Sequence, residues 1–129
     1  SFAGIVSAHG PKNEDRCAAQ FGEAVLRFAK TLPLNAITVS PVRQLVRSGT
    51  SIGANYCEAD DAGSKREFKH RISICRRESR ETKYWLRMIA SIVPEAKAAA
   101  RPLWQEAKEL HLIFGAIFRK AGERAASKG

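Results

Sequence analysis

No apolar run in this chain approaches the roughly 20 residues that span a bilayer, so a membrane-spanning helix is not expected. Residues 1–10 are mildly apolar, but too short and without the basic leading region of a signal peptide. The chain does not begin with Met, and its first residues are set aside from the fold. The cysteines, Cys17, Cys57 and Cys75, are odd in number and form no C-x-x-C pair. Neither a disulfide framework nor a zinc site is expected, and reduced thiols fit a cytoplasmic protein. His9, His70 and His111 stand far apart, with no H-x-x-H spacing, and the single Glu-x-x-His, Glu67 to His70, falls short of the two that di-iron bundles use. No Ser/His/Asp order, glycine-rich phosphate loop or nucleophile elbow is present. The expectation is therefore no enzyme, no metal and no cofactor. No segment alternates with strict period two, which leaves no signal for a sheet.

Acids are also scarce. Lys and Arg number 22 against 13 Asp and Glu, a net charge of +9, and the pI is near 10. Such a balance favours anionic partners through electrostatic steering and counterion release, although it also serves simply to keep a protein dispersed. What remains is ordinary for a globular chain: 129 residues, 44% hydrophobic and 27% charged. That is one domain, long enough to bury a core without staples.

The pattern along the chain is helical throughout. A first helix is predicted from about Asn13 to Thr31, with Ala18, Phe21, Val25, Phe28 and Leu32 at 3/4 spacing and Pro33 as its stop. Ser40 and Pro41 read as N-cap and N1 of a second helix whose seam is Val42, Leu45, Gly49, Ile52, Tyr56 and Ala59. Gly49 and Gly53 lie inside it. Each costs roughly 1 kcal/mol against alanine, which calls for close helix packing or for an irregularity at a functional spot. Gly63 reads as a C-cap and Ser64–Glu67 as a capping box. In the third helix, Phe68, Ile72, Cys75, Ser79, Thr82, Leu86 and Ile89 keep the a/d spacing as far as Pro94. Residues 94–101 read as a turn or short helix, and Pro102 as N1 of a fourth helix. Its seam is Leu103, Ala107, Leu110, Phe114, Ile117 and Ala121, flanked by Trp104, His111 and Phe118. The expected fold is all-α, an up-down-up-down antiparallel four-helix bundle over residues 14–121, with flexible tails at 1–13 and 122–129.

The third helix holds the strongest functional signal. Nine cations stand against three acids between Ser64 and Ile89, a net of six of the chain's nine positive charges. At about 100° per residue, Lys69, Arg76, Arg80, Lys83 and Arg87 share one flank, with Arg66 and Arg77 nearby, while Glu67, Glu78 and Glu81 take the other. The five cations extend along about 27 Å of helix, enough to meet several phosphates. An electrostatic nucleic-acid surface, RNA or DNA, is one reading. The other is a head-to-tail contact in which the acids of one copy meet the cations of the next and close a ring. The two are compatible. Tyr84 and Trp85 offer stacking faces for bases, but aromatics at such positions more often belong to a core or a subunit interface. Asn55, Glu58, Glu78 and Glu81 read as polar groups that hydrogen-bond to helix ends or to arginines and fix register within or between bundles.

Three strings, Ser51-Ile-Gly-Ala-Asn-Tyr-Cys-Glu58, Ser64-Lys-Arg-Glu-Phe68 and Glu78-Ser-Arg-Glu-Thr-Lys-Tyr-Trp-Leu86, occur in order. They resemble the motifs S-I-x-A-N-x-x-E, S-x-x-E-F and E-S-x-E-T-x-Y-W-L of a bacterial four-helix bundle family, first known from reading frames within intervening sequences of 23S rRNA genes. The resemblance covers residues 15 to 120; the first and fourth helices match in pattern only. It implies a cytoplasmic homopentameric ring with no established enzymatic activity. A related branch, the accessory variability proteins of diversity-generating retroelements, is similar in fold and basic, and is associated with nucleic acid and a reverse transcriptase. The expected partners are therefore further copies of the chain, RNA or DNA, and a reverse transcriptase or another protein, with no membrane.

Overall fold

Phe68, Ile72, Cys75, Ser79, Thr82, Leu86 and Ile89 are all buried, as their 4/3 spacing predicts. The computed structural model describes the backbone of residues 11–128 and the side chains of residues 17–123. It is built of α1 (Pro11–Lys30), α2 (Val39–Asp60), α3 (Lys65–Ile92), one 3₁₀ turn (Pro94–Ala96) and α4 (Lys97–Lys128). All six seam positions of α4 are buried, as are the α2 seam and the four seam positions of α1 with Leu32 just beyond it. The four apolar stripes thus meet in one core, an all-α four-helix bundle with no strand among the described residues.

The register of each neighbouring pair follows from contacts between the helices. The Cys75 thiol donates to Ile52 O at 3.5 Å, the hydroxyls of Thr82 and Ser48 hydrogen-bond at 2.9 Å, and Arg71 Nη1 donates to Asn55 Oδ1 at 3.2 Å. Residue numbers rise along α3 as they fall along α2, so the pair is antiparallel. Between α1 and α2 the glycines set the distance. A Cβ at Gly49 would stand 2.9 Å from both γ-methyls of Val25, and one at Gly53 would stand 3.4 Å from the Ala18 carbonyl. Close packing is therefore what these glycines serve, and the helix runs through them without a break.

The connections depart from the local rules in four places. Thr38, not Ser40, precedes α2. Asn35 Oδ1 accepts from the amides of Ile37 and Thr38, while the Thr38 hydroxyl donates to Pro33 O at 2.6 Å and accepts from Asn35 N at 3.0 Å. This loop fold is complete before Ser40, which puts Ser40 and Pro41 inside the first turn, where a missing N–H still costs no bond. Gly63 is not a C-cap: α2 ends at Asp60 with Asp61 as its cap, and Gly63 N donates to Glu67 Oε2 at 3.1 Å. Ser64 Oγ accepts from Glu67 N at 3.1 Å, so the serine half of the expected capping box stands, while the Glu67 carboxylate reaches one residue further back, to Gly63 N. Pro102 lies inside α4 rather than at its start. The alanine-rich run from Lys97 has the highest helix propensity, and Ala100 and Leu103 bury against the core, which outweighs one lost amide bond. Finally, α4 does not stop at residue 121 but continues through Gly122 to Lys128. Of the tail expected at residues 1–13, residues 1–10 lie outside the described residues, whereas Pro11, Lys12 and Asn13 are the first turn of α1.

Candidate nucleic-acid interface

Lys69, Arg76 and Lys83 recur every seven residues on α3, and Trp104, His111 and Phe118 recur every seven on α4. Antiparallel packing brings the two stripes face to face. Lys69 Nζ lies 4.9 Å from the centre of the Phe118 ring, His111 Nδ1 lies 3.1 Å from Arg76 O, and Lys83 Nζ lies 5.6 Å from the Trp104 ring. A carbonyl only accepts, so His111 Nδ1 carries the proton and Nε2 is the ring's remaining polar atom. The three pairings form a ladder along the α3–α4 groove, with rungs about 10.5 Å apart. Lys108 approaches Trp104 as well, at 5.7 Å.

Three cavities follow one another along this groove. The first is lined by Lys65, Arg66, Lys69, His70, Ser73 and Phe118. The middle one, of 310 Å³, is lined by Ser73, Arg76, Arg77, Arg80, His111 and Phe118. The third has Arg87, Lys97 and Arg101 around Trp104, Gln105 and apolar side chains. Together they present nine cations and no carboxylate. Gly115 and Gly122 of α4 lie beside the α3 side chains at ordinary contact distance. A Cβ at Gly115 would stand 3.6 Å from Arg76 Nε, and one at Gly122 would stand 3.5 Å from Lys69 Nζ. Arg76, Arg77, Arg80 and Arg87 have no carboxylate within ion-pair distance among the described residues. A concave run of like charges with apolar floors repels itself and focuses its field on an incoming anion.

All seven basic residues singled out in the sequence, Lys69, Arg76, Arg80, Lys83, Arg87, Arg66 and Arg77, border this groove. The acids and polar residues lie elsewhere. Glu67 caps its own helix. Glu78 and Glu81 both accept from Arg47 of α2, and Trp85 Nε1 donates to Glu81 Oε1 at 3.5 Å. Asn55 Nδ2 donates to Ser51 while its Oδ1 accepts from Arg71, and Glu58 is exposed on α2. Tyr84 is 53% exposed and meets Trp85 edge to face. Sequence reasoning missed Arg47 as the partner of the two glutamates. It also missed the contribution of α4, namely Lys97, Arg101, Gly115 and the stripe Trp104–His111–Phe118. The seven-residue repeat of that stripe was the available signal.

Among the described residues no three His, Cys, Asp or Glu side chains are placed to hold a metal ion, and no helix is long and apolar enough to cross a membrane. No curated protein sequence matches the chain. A crystal structure of a protein of unknown function from the S23 ribosomal protein family of Bacteroides thetaiotaomicron has a similar fold, with a TM-score of 0.76 and 25% identity, covering 84% of this chain and 97% of that one. The 23S rRNA-intervening sequence protein family matches residues 16–115, which include part of each of the four helices. With the motifs, the bundle and this match in agreement, the chain belongs to the 23S rRNA-intervening sequence protein family.

Proposed function

We propose that the protein is a non-enzymatic nucleic-acid-binding protein whose contact surface is the α3–α4 groove. The observation that carries this reading is the lining of the three cavities: nine cations, two histidines, aromatic floors and no carboxylate. An arginine can hold two phosphate oxygens at once, and binding of this kind depends on charge more than on sequence. The names of the family and of its structural relative refer to 23S rRNA and the ribosome, which makes RNA the first nucleic acid to test. Three reduced thiols, two of them exposed, favour action in the cytoplasm.

The test is binding of labelled RNA and DNA across a salt series by fluorescence anisotropy. Log affinity should fall linearly with log salt, by roughly 0.7 to 0.9 per phosphate contacted. Arg76→Glu with Arg80→Glu should abolish binding while the helical circular dichroism persists. Retained affinity in that variant overturns the assignment.

A second reading has its own support. Leu34, Ile37, Val39 and Ile92 are exposed at the same end of the bundle, Leu34 by 68% and Ile37 by 67%. Unpartnered apolar side chains gathered in this way favour an assembly module that forms a homo-oligomer, the pentameric ring, or docks on a protein such as a reverse transcriptase. Light scattering tests it: a monomeric mass across the working concentration range removes the ring. The engagement of Glu67, Glu78 and Glu81 within the chain argues against a ring closed by those acids.

A further inference from the structure

We propose that the α3–α4 groove takes a single strand rather than a duplex, with bases against Phe118 and Trp104 and phosphates on the arginine rim. This rests on the reading of the groove as a nucleic-acid interface. Two packed helices lie about 8–10 Å apart, and the trough between them is too narrow to seat a double helix. A duplex keeps its bases stacked inside. It would touch rim cations such as Arg66, Arg77 and Arg80, and it would leave the floor unused. The floor is what distinguishes this groove from a merely basic helix. Phe118 borders both the first and the middle cavities, and Trp104 lines the third. Basic channels with aromatic platforms are the usual arrangement for unpaired strands, because every base has a face that stacks.

The lysines on these rings fit the same occupant. Lys69 lies over Phe118, and Lys83 and Lys108 both approach Trp104. Both rings are only partly buried against the core, so a base can stack in place of the ammonium, which then meets the phosphate beside it. From Trp104 to Phe118 the groove runs about 21 Å, or roughly six nucleotides at the 3.4 Å rise of a stacked strand.

The experiment compares an unstructured oligouridylate, an oligothymidylate and an RNA duplex, each of about 15 nucleotides, a length within single-strand site sizes. The wild type should bind the single strands roughly tenfold or more tighter than the duplex. Trp104→Leu with Phe118→Leu should weaken single-strand binding by about tenfold or more and leave duplex binding unchanged, whereas Arg76→Glu with Arg80→Glu weakens both. As a readout that needs no change at the floor, Trp85→Phe leaves Trp104 as the only tryptophan, and its fluorescence should be quenched by the single strand alone. Equal affinity for duplex, unaltered single-strand binding in the leucine variant, or unquenched Trp104 overturns this inference while the groove remains an interface. Binding of neither form at low salt overturns the interface itself.

Discussion

Arg47 and Glu78, 31 residues apart in sequence, join α2 to α3: Arg47 Nη1 donates to Glu78 Oε2 at 3.0 Å, and Nη2 reaches Glu81. The Glu81 hydrogen bond is the main reason the Arg47 guanidinium holds its proton more tightly than an isolated arginine, with burial acting in the opposite sense. Glu78 is only 6% exposed. Arg47→Ala leaves that carboxylate buried without its cation, and it should cost about 1–3 kcal/mol, the lower end applying because Arg47 is itself half exposed. Urea denaturation measures it, and a midpoint within error of wild type would show that the bridge adds nothing.

Two glycines of the α1–α2 contact should respond in opposite directions to alanine. At Gly49 the new methyl meets both γ-methyls of buried Val25 at 2.9 Å, and valine has little rotamer freedom in a helix. The overlap costs about 1–3 kcal/mol, more than the helix-propensity gain of roughly 1 kcal/mol. At Gly22 the nearest atoms are 3.6 Å away, an ordinary contact, so Gly22→Ala should gain roughly 0.5–1 kcal/mol. Thermal melts of the two variants should bracket the wild type.

The three thiols should divide two to one. Burial, the largest cause, pushes the Cys75 thiol up to about 12, whereas Cys17 and Cys57 are exposed. A thiol-specific reagent at neutral pH should label two cysteines in the native protein and the third only on unfolding. Fast labelling of all three would place Cys75 outside the core.

Glu106 supplies a pH dependence. Partial burial first, and the neighbouring charge of Glu109 second, raise its pKa above the ordinary 4.5. The folded state therefore holds the proton to higher pH than the unfolded state does. Stability falls as pH rises through that window, and the penalty is complete above the raised pKa. Glu106→Gln should melt higher than wild type at neutral pH, and the difference should vanish below about pH 4.5. A difference that does not change with pH would assign the effect to packing.

The core was legible in the sequence but for Val93 and Ala100, because a 3/4 apolar spacing on a helix has one face to bury, and Phe68 to Ile89 and Leu103 to Ala121 buried it. The cations of α3 were legible for the same reason. What they face was not, since the partner of a flank depends on which helix packs beside it. Lys83 therefore gave no hint of Trp104, nor Glu78 of Arg47. Boundaries were misread where a nonlocal interaction outweighed the local rule. The Asn35–Thr38 hydrogen bonds move the start of α2 ahead of Ser40, and burial of Ala100 carries α4 through Pro102.

The ladder of Lys69–Phe118, Arg76–His111 and Lys83–Trp104 makes the groove a ruler graduated in heptads. Seven residues forward on α3 match seven back on α4, and a slip of one residue on either helix turns its stripe by about 100° and dissolves every rung at once. Seven residues added to both helices would instead restore each pairing but for a drift of about 20°, and would append one complete rung. The groove of this fold thus gains or loses a complete rung with each step of about 10.5 Å.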